Sequence, residues 1–138
     1  MTSNLLFMNA AAGEKERGRL LTGAAYAALF LLGAVEGLIG SFQYSRAAPA
    51  AAIGFGVLLL ATGLFGGWAM RSISGALAPG VGWILASFVL SMPVSGGSVI
   101  IANTAAGKWY LYGGTAAAVA AVLVLFVTSV HGTGARRR

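Results

Sequence analysis

Four long apolar stretches separated by short polar breaks constrain this chain more than any other feature of its sequence. They lie at about 20–42, 50–70, 78–93 and 109–130. A helix needs about 20 apolar residues to cross a bilayer. Only 9% of the residues are charged, against about a quarter in soluble domains. The sequence therefore predicts an all-α integral membrane protein, a four-helix bundle that fills residues 20–131.

The charged residues predict the orientation of this bundle. Four spans place both ends of the chain on one side of the membrane, together with the loop after the second span. Seven of the nine basic residues share that side: Lys15, Arg17, Arg19, Arg71, Arg136, Arg137 and Arg138. Because basic loops stay in the cytoplasm, we expect an N-in/C-in topology in the cytoplasmic (inner) membrane.

The segments outside the bundle are short. Residues 1–19 are expected to form a cytoplasmic segment, and 132–138 a basic cytoplasmic tail. The basic cluster at 15–19 follows the weakly apolar stretch at 5–8. In a signal peptide the charges precede the apolar region, so the pattern of residues 1–19 does not predict a cleaved signal. The formal net charge of +6 sits between the spans, where it favours anionic lipid headgroups. We expect no nucleic-acid partner.

Glu36 is the residue most suggestive of function, because an ionisable side chain within a span costs about 2.5–3.5 kcal/mol near the helix centre. It lies seven residues before Gln43, or about 10 Å along the helix axis. Gly33, Gly37 and Gly40 surround it, so a neighbouring helix can approach this face closely. The pattern fits either a helix interface or a proton or cation site.

Catalysis and cofactor binding are not indicated by the sequence. A metal site needs three or four His, Cys or carboxylate ligands, but the chain has one histidine, no cysteine and three acidic residues. His131 falls at the opposite end of the bundle from Glu36, so the two cannot act together. We therefore expect no enzyme activity, no metal and no cofactor.

Small residues and aromatic residues mark two further sets of positions. Small residues at four-residue spacing indicate close helix packing at Gly63, Gly67, Gly113, Ala117 and Ala121. Aromatic residues near span ends are typical of anchors at the membrane interface, and this predicts such a role for Trp68, Trp83, Trp109, Tyr110 and Tyr112.

The stretch from Ala34 to Gly40, with its central Glu36, resembles the first helix of small multidrug resistance transporters. Those proteins exchange protons for cationic drugs at such a carboxylate. The resemblance implies that Glu36 would be the shared proton and substrate site of a small proton-coupled transporter.

A second resemblance covers about Arg19 to Val124. The stretch Leu77 to Trp83, the break Leu90-Ser91-Met92-Pro93 and the start of span four at Tyr112-Gly113-Gly114 resemble an uncharacterised actinobacterial family. Its members are small four-helix integral membrane proteins, often encoded beside a mycothiol-pathway deacetylase. The resemblance implies a fold and no activity.

These patterns favour a non-catalytic accessory or assembly subunit of a larger membrane complex, such as a respiratory or envelope machine. Its partners would be other integral membrane subunits, which pack on glycine-rich helix faces near Glu36. The alternative interpretation is the proton-coupled transporter.

Overall fold

The computed structural model describes residues 2–46, 48–93 and 100–134, with side-chain detail for 13–46, 48–93 and 100–129. These residues form four α-helices and no β-strand, which confirms the all-α prediction for the described part of the chain. The helices are α1 (Thr2–Gln43), α2 (Ala50–Met70), α3 (Ile73–Leu90) and α4 (Ala105–Gly134). By length and composition, all four can cross a membrane.

Helix α1 is far longer than the span expected at 20–42. Its 42 residues correspond to about 63 Å at 1.5 Å per residue, roughly twice the hydrocarbon thickness of a bilayer. Within the residues that have described side chains, the segment apolar enough to cross a membrane is Gly13–Gln43. The same helix extends before it to Thr2.

The turn between α2 and α3 is tighter than the sequence suggests. Arg71 adopts a left-handed conformation with φ 47°, and the Ser72 amide donates to the Gly67 carbonyl at 3.1 Å, as in a Schellman ending. The Ser72 hydroxyl then accepts from the Gly75 amide at 3.1 Å and caps α3. Helix α3 therefore begins at Ile73, five residues before the expected start at 78.

The helices do not pack most closely with their neighbours in sequence. Helix α1 packs mainly on α3, and α2 packs mainly on α4, while α2 and α3 lie side by side between them. The contact between α1 and α2 is smaller, and the backbones of α1 and α4 do not meet in the described part of the chain. The cross-section is thus a rhombus with α1 and α4 at its far corners.

Backbone contacts at glycines explain the close approach of α1 to α3. A side chain at Gly33 would collide with the backbone of Pro79, and one at Gly82 would collide with the carbonyl of Phe30. Each helix thus places a glycine against the other's backbone, the arrangement by which helices in lipid gain van der Waals contact.

Pro79 also shapes the contact between α2 and α3. It has no backbone N–H, so the Gly75 carbonyl lacks the helical hydrogen bond that residue 79 would otherwise donate. That carbonyl lies against Gly66 of α2, and the Gly66 carbonyl lies against Gly75 in return. Side chains at either glycine would separate the two helices.

Helices α2 and α4 meet through the small residues predicted for helix packing. A side chain at Gly63 would press on Ala121, and one at Gly67 would collide with Leu125. Gly56 lies in ordinary contact distance of the Gly113 carbonyl, 3.6 Å from the position its Cβ would take. The structure therefore places the predicted small residues along one seam.

Candidate functional site

Glu36 lies inside the bundle, with only 7% of its surface exposed. Side chains on a helix tilt toward its N-terminus, so the carboxyl group sits deeper in the bundle than the Cα position suggests. It faces α2, where the two helices make their small contact. The seam around Glu36 is thus formed by helices of this chain, and does not lie on the outer surface where a partner was expected.

Among the described residues, the carboxyl group of Glu36 has one hydrogen-bond partner, Thr62 of α2. The Thr62 hydroxyl oxygen lies 2.5 Å from Glu36 Oε1 and 2.9 Å from the carbonyl oxygen of Leu58. A hydroxyl has a single hydrogen, so it can donate to only one of these two oxygens. The second carboxyl oxygen, Oε2, is buried without a hydrogen-bond partner.

A network of hydrogen bonds converges on the carbonyl of Gly37, the residue next to Glu36. The Tyr110 hydroxyl donates to this oxygen at 2.9 Å, and the Ser41 hydroxyl donates to it at 2.6 Å. The indole N–H of Trp83 donates to the Tyr110 hydroxyl at 3.1 Å. Residues from α1, α3 and α4 are thereby joined at the backbone carbonyl of the residue that follows Glu36.

Glycines make room for the aromatic rings of this network. A side chain at Gly40 would meet the Tyr110 hydroxyl, and one at Gly114 would collide with the Trp83 ring. Gly37 lies against Trp83 and Ala86 of α3. The glycines predicted to line the Glu36 face therefore serve contacts within the chain: Gly33 and Gly37 against α3, and Gly40 against α4.

Tyr110 is also the centre of an aromatic cluster at the end of the bundle where α2 begins. Its ring centroid lies 5.3 Å from that of Trp83, 5.7 Å from that of Tyr44 and 6.4 Å from that of Phe55. The Tyr44 hydroxyl donates to the Ile100 carbonyl at 3.3 Å and accepts from the Ala102 amide at 3.0 Å. This cluster attaches the segment before α4 to the bundle.

Two of the five aromatic residues predicted to anchor the membrane interface are buried inside the bundle. Trp83 is 2% exposed and Tyr110 is 1% exposed, because both rings fill space left by glycines on neighbouring helices. Trp68, Trp109 and Tyr112 are largely exposed, and their role as interface anchors stays a prediction.

Three polar residues of this site were not singled out from the sequence: Thr62, Ser41 and Ser87. All three are buried, and Ser87 lies beside the Tyr110 hydroxyl with its own oxygen unpartnered. Their signal in the sequence was a hydroxyl inside an apolar helix. That signal alone does not identify the residue on a neighbouring helix that each hydroxyl would contact.

The chemistry available at this site is that of one carboxyl group among hydroxyls and aromatic rings. Within the described residues, no three His, Cys, Asp or Glu side chains are grouped so that they could hold a metal ion. His131, expected at the opposite end of the bundle from Glu36, lies outside the residues with described side chains. The arrangement around Glu36 can hold helices together and can take up or release a proton.

A second candidate site is a shallow groove of about 240 Å³ on the outside of the bundle, between α2 and α4. Its floor consists of small residues, its wall is aliphatic, and Trp109 stands at one end. The lining residues are Ala52, Ile53, Gly56, Val57, Leu60, Trp109, Gly113 and Ala117. A side chain at Gly113 would touch nothing within the chain.

Comparison with known proteins places the chain in a family. The model of DUF6113, a family of unknown function, matches residues 9–137. The chain belongs to the DUF6113 family. The DUF6113 match includes all of α2, α3 and α4 and most of α1, and it assigns no activity to them. No curated protein and no solved structure matches the chain.

Proposed function

We propose that this protein is a non-catalytic accessory or assembly subunit of a larger membrane complex, of the respiratory or envelope-related kind. The observation that supports the proposal is the groove between α2 and α4, with small residues on its floor. Within a bilayer, small residues on an exposed helix face let another helix approach closely. The partner that fits this groove is a transmembrane helix of another subunit.

Gly113 makes the strongest case for this groove. Glycine lowers helix stability by roughly 1 kcal/mol relative to alanine, and most glycines of the bundle are explained by contacts inside the chain. Gly113 has open space where its side chain would be, so internal packing does not require it. Unlike Gly54, which is equally open, Gly113 lines the groove, where a small residue would allow close contact with a helix from outside the chain.

We further propose that both ends of the chain are cytoplasmic. Lys15, Arg17, Arg19 and Arg71 all belong to the end of the bundle opposite the aromatic cluster, where Tyr26 of α1 contacts Ser72 at 2.9 Å. Arg46 and Lys108 belong to the other end. This distribution supports contact of the first end with anionic lipids on the cytoplasmic face.

The accessory role is tested by purifying the complex in mild detergent from cells that produce the Gly113→Leu variant. Leucine should fill the groove without any clash inside the bundle, so the subunit should fold but lose its partners. Gly54→Leu is the matched control, because Gly54 of α2 also touches nothing within the chain and is not part of the groove.

Two outcomes would contradict the proposed accessory role. One is a wild-type protein that is purified alone or only as a self-dimer. The other is a set of partners that remains bound equally to the Gly113→Leu and Gly54→Leu variants.

The alternative function is a small proton-coupled transporter that uses Glu36. It is favoured by the buried carboxyl group with an unpartnered oxygen, and by the resemblance of the first helix to small multidrug resistance transporters. Glu36→Gln should then abolish proton-coupled transport in vesicles, whereas an accessory subunit would show no transport to lose. The resemblance to an actinobacterial family bears on lineage and does not separate the two.

A further inference from the structure

We propose that Glu36 is a proton-binding site occupied at neutral pH, a neutral carboxylic acid that donates its hydrogen from Oε1 to the Thr62 hydroxyl. The inference deepens the transporter alternative by naming the ligand as a proton. It does not depend on transport, because a resting acid can also serve as a fixed contact between α1 and α2.

The position of Thr62 supports this assignment. Threonine within a helix commonly donates its hydroxyl hydrogen to the carbonyl four residues earlier, and Thr62 lies 2.9 Å from the Leu58 carbonyl oxygen. When its single hydrogen is used there, the short distance of 2.5 Å to Glu36 Oε1 requires a hydrogen from the carboxyl group. A carboxylate at that distance would place two acceptors against each other.

The unpartnered oxygen of Glu36 supports it independently. A carboxylate shares its negative charge over both oxygens, and leaving one of them buried without a donor is costly. In the neutral acid, Oε2 is the carbonyl oxygen, a weaker acceptor whose isolation costs less. One proton on Oε1 therefore accounts for both the short contact and the bare oxygen.

None of the described groups around Glu36 supplies a hydrogen bond or a positive charge to its unpartnered oxygen, which favours a bound proton on the carboxyl group. Helix α2 presents Thr62, and α4 contributes the Tyr110 hydroxyl at the carbonyl of Gly37, the residue after Glu36. The Tyr110 hydroxyl is already bonded to Gly37 and Trp83, and the Ser41 hydroxyl is bonded to Gly37. Ser87 of α3 is the other hydroxyl in the cluster. No basic side chain pairs with Glu36 in the described part of the chain.

A metal cation would need about six oxygen ligands. The unpartnered buried oxygens among the described side chains are Glu36 Oε2 and Ser87 Oγ. Two free oxygens are too few for a cation, whereas a proton needs one acceptor, and Thr62 provides it.

Infrared spectroscopy of the full chain in lipid vesicles tests the proposal. The chain has three acidic side chains, and the two besides Glu36, Glu14 and Glu16, are exposed. A C=O band of a protonated carboxyl group should therefore be present at neutral pH and should disappear in Glu36→Gln. Thr62→Val should shift the band to higher frequency, while Thr62→Ser should leave it in place.

A measurement without substitutions covers the case in which a variant does not fold. Carboxyl-labelled ¹³C-glutamate in the wild-type chain should move the same band to lower frequency. The proposal fails if no protonated band is present at neutral pH, if the band ignores both the label and Glu36→Gln, or if Thr62→Val leaves it unchanged. None of these results depends on finding a partner, so they are separate from the test of the accessory role.

Discussion

The hydroxyl of Tyr110 donates a hydrogen bond to the carbonyl of Gly37 at 2.9 Å, and so connects α4 to α1 across the long diagonal of the bundle. In the part of the chain that the structure describes, the backbones of these two helices do not approach each other. A tyrosine can bridge the gap because Gly40 leaves space for its ring. The contact between the two far corners of the rhombus is therefore made by a side chain.

Tyr110→Phe should destabilise the bundle by about 1–2 kcal/mol. It removes the donor to the Gly37 carbonyl and leaves the buried Trp83 N–H without its acceptor. Thermal unfolding in mild detergent measures the effect. Tyr112→Phe is the control, because Tyr112 is 72% exposed, and it should unfold like the wild type. Equal stability of all three proteins would contradict the importance of this hydrogen bond.

Gly33→Ala should cost about 1–3 kcal/mol, the range for overpacking a tight contact. Its new methyl group would meet the backbone of Pro79, which cannot move as a flexible side chain would. Gly23→Ala changes the same helix in the same way, but at a position with nothing nearby, and should not lower stability. Unfolding of the two variants in one detergent compares them directly. A loss of similar size in both would indicate a general effect of alanine in α1.

Tyr44→Phe should release the segment before α4 without unfolding the helices. The Ala102 amide donates to the Tyr44 hydroxyl, so its hydrogen exchange should accelerate when the hydroxyl is removed. Exchange mass spectrometry over residues 100–104 measures this change. Tyr26→Phe removes a hydroxyl at the opposite end of the bundle and should leave exchange in that segment unaltered. Protection that persists in Tyr44→Phe would mean that other contacts hold the segment.

The proposed orientation can be tested with single cysteines, because the chain contains none. A membrane-impermeant maleimide should label Lys108→Cys in intact cells and should label Lys15→Cys only after permeabilisation. Both positions are exposed, so burial within the bundle does not limit either reaction. The reverse pattern would place the basic end of the bundle outside and contradict the charge argument.

The apolar stretches were sufficient to predict four helices, because a helix is the structure in which a single segment in lipid can form all its backbone hydrogen bonds internally. They could not predict which helices pair. The preference of α1 for α3 depends on Gly33 and Gly82 reaching the same level, which follows from helix starts and tilts that the sequence does not display.

The burial of Trp83 could not be predicted for the same reason. A helix that began at 78 would place Trp83 in its second turn, near the membrane interface. The Schellman ending at Arg71 and the cap at Ser72 start α3 at Ile73 instead, and Trp83 then falls well inside the span. The burial of Tyr110 could not be predicted either, because it depends on the space at Gly40 of α1, a helix far away in sequence. Glu36 could be identified from the sequence because placing an ionisable side chain in lipid costs free energy. Its contact with Thr62 could not be predicted, because it depends on how α1 and α2 face each other.

The pairing of α1 with α3 and of α2 with α4 has a consequence for biosynthesis. Helices leave the ribosome in order, so α1 enters the bilayer with its main packing surface unoccupied until the third helix arrives, and α2 waits in the same way for the fourth. No pair of consecutive helices completes its own contacts. Helices α1 and α2 must therefore remain incompletely packed in the membrane until the later helices are inserted. A truncation after α3 should be far less tolerated than in a bundle of sequential hairpins.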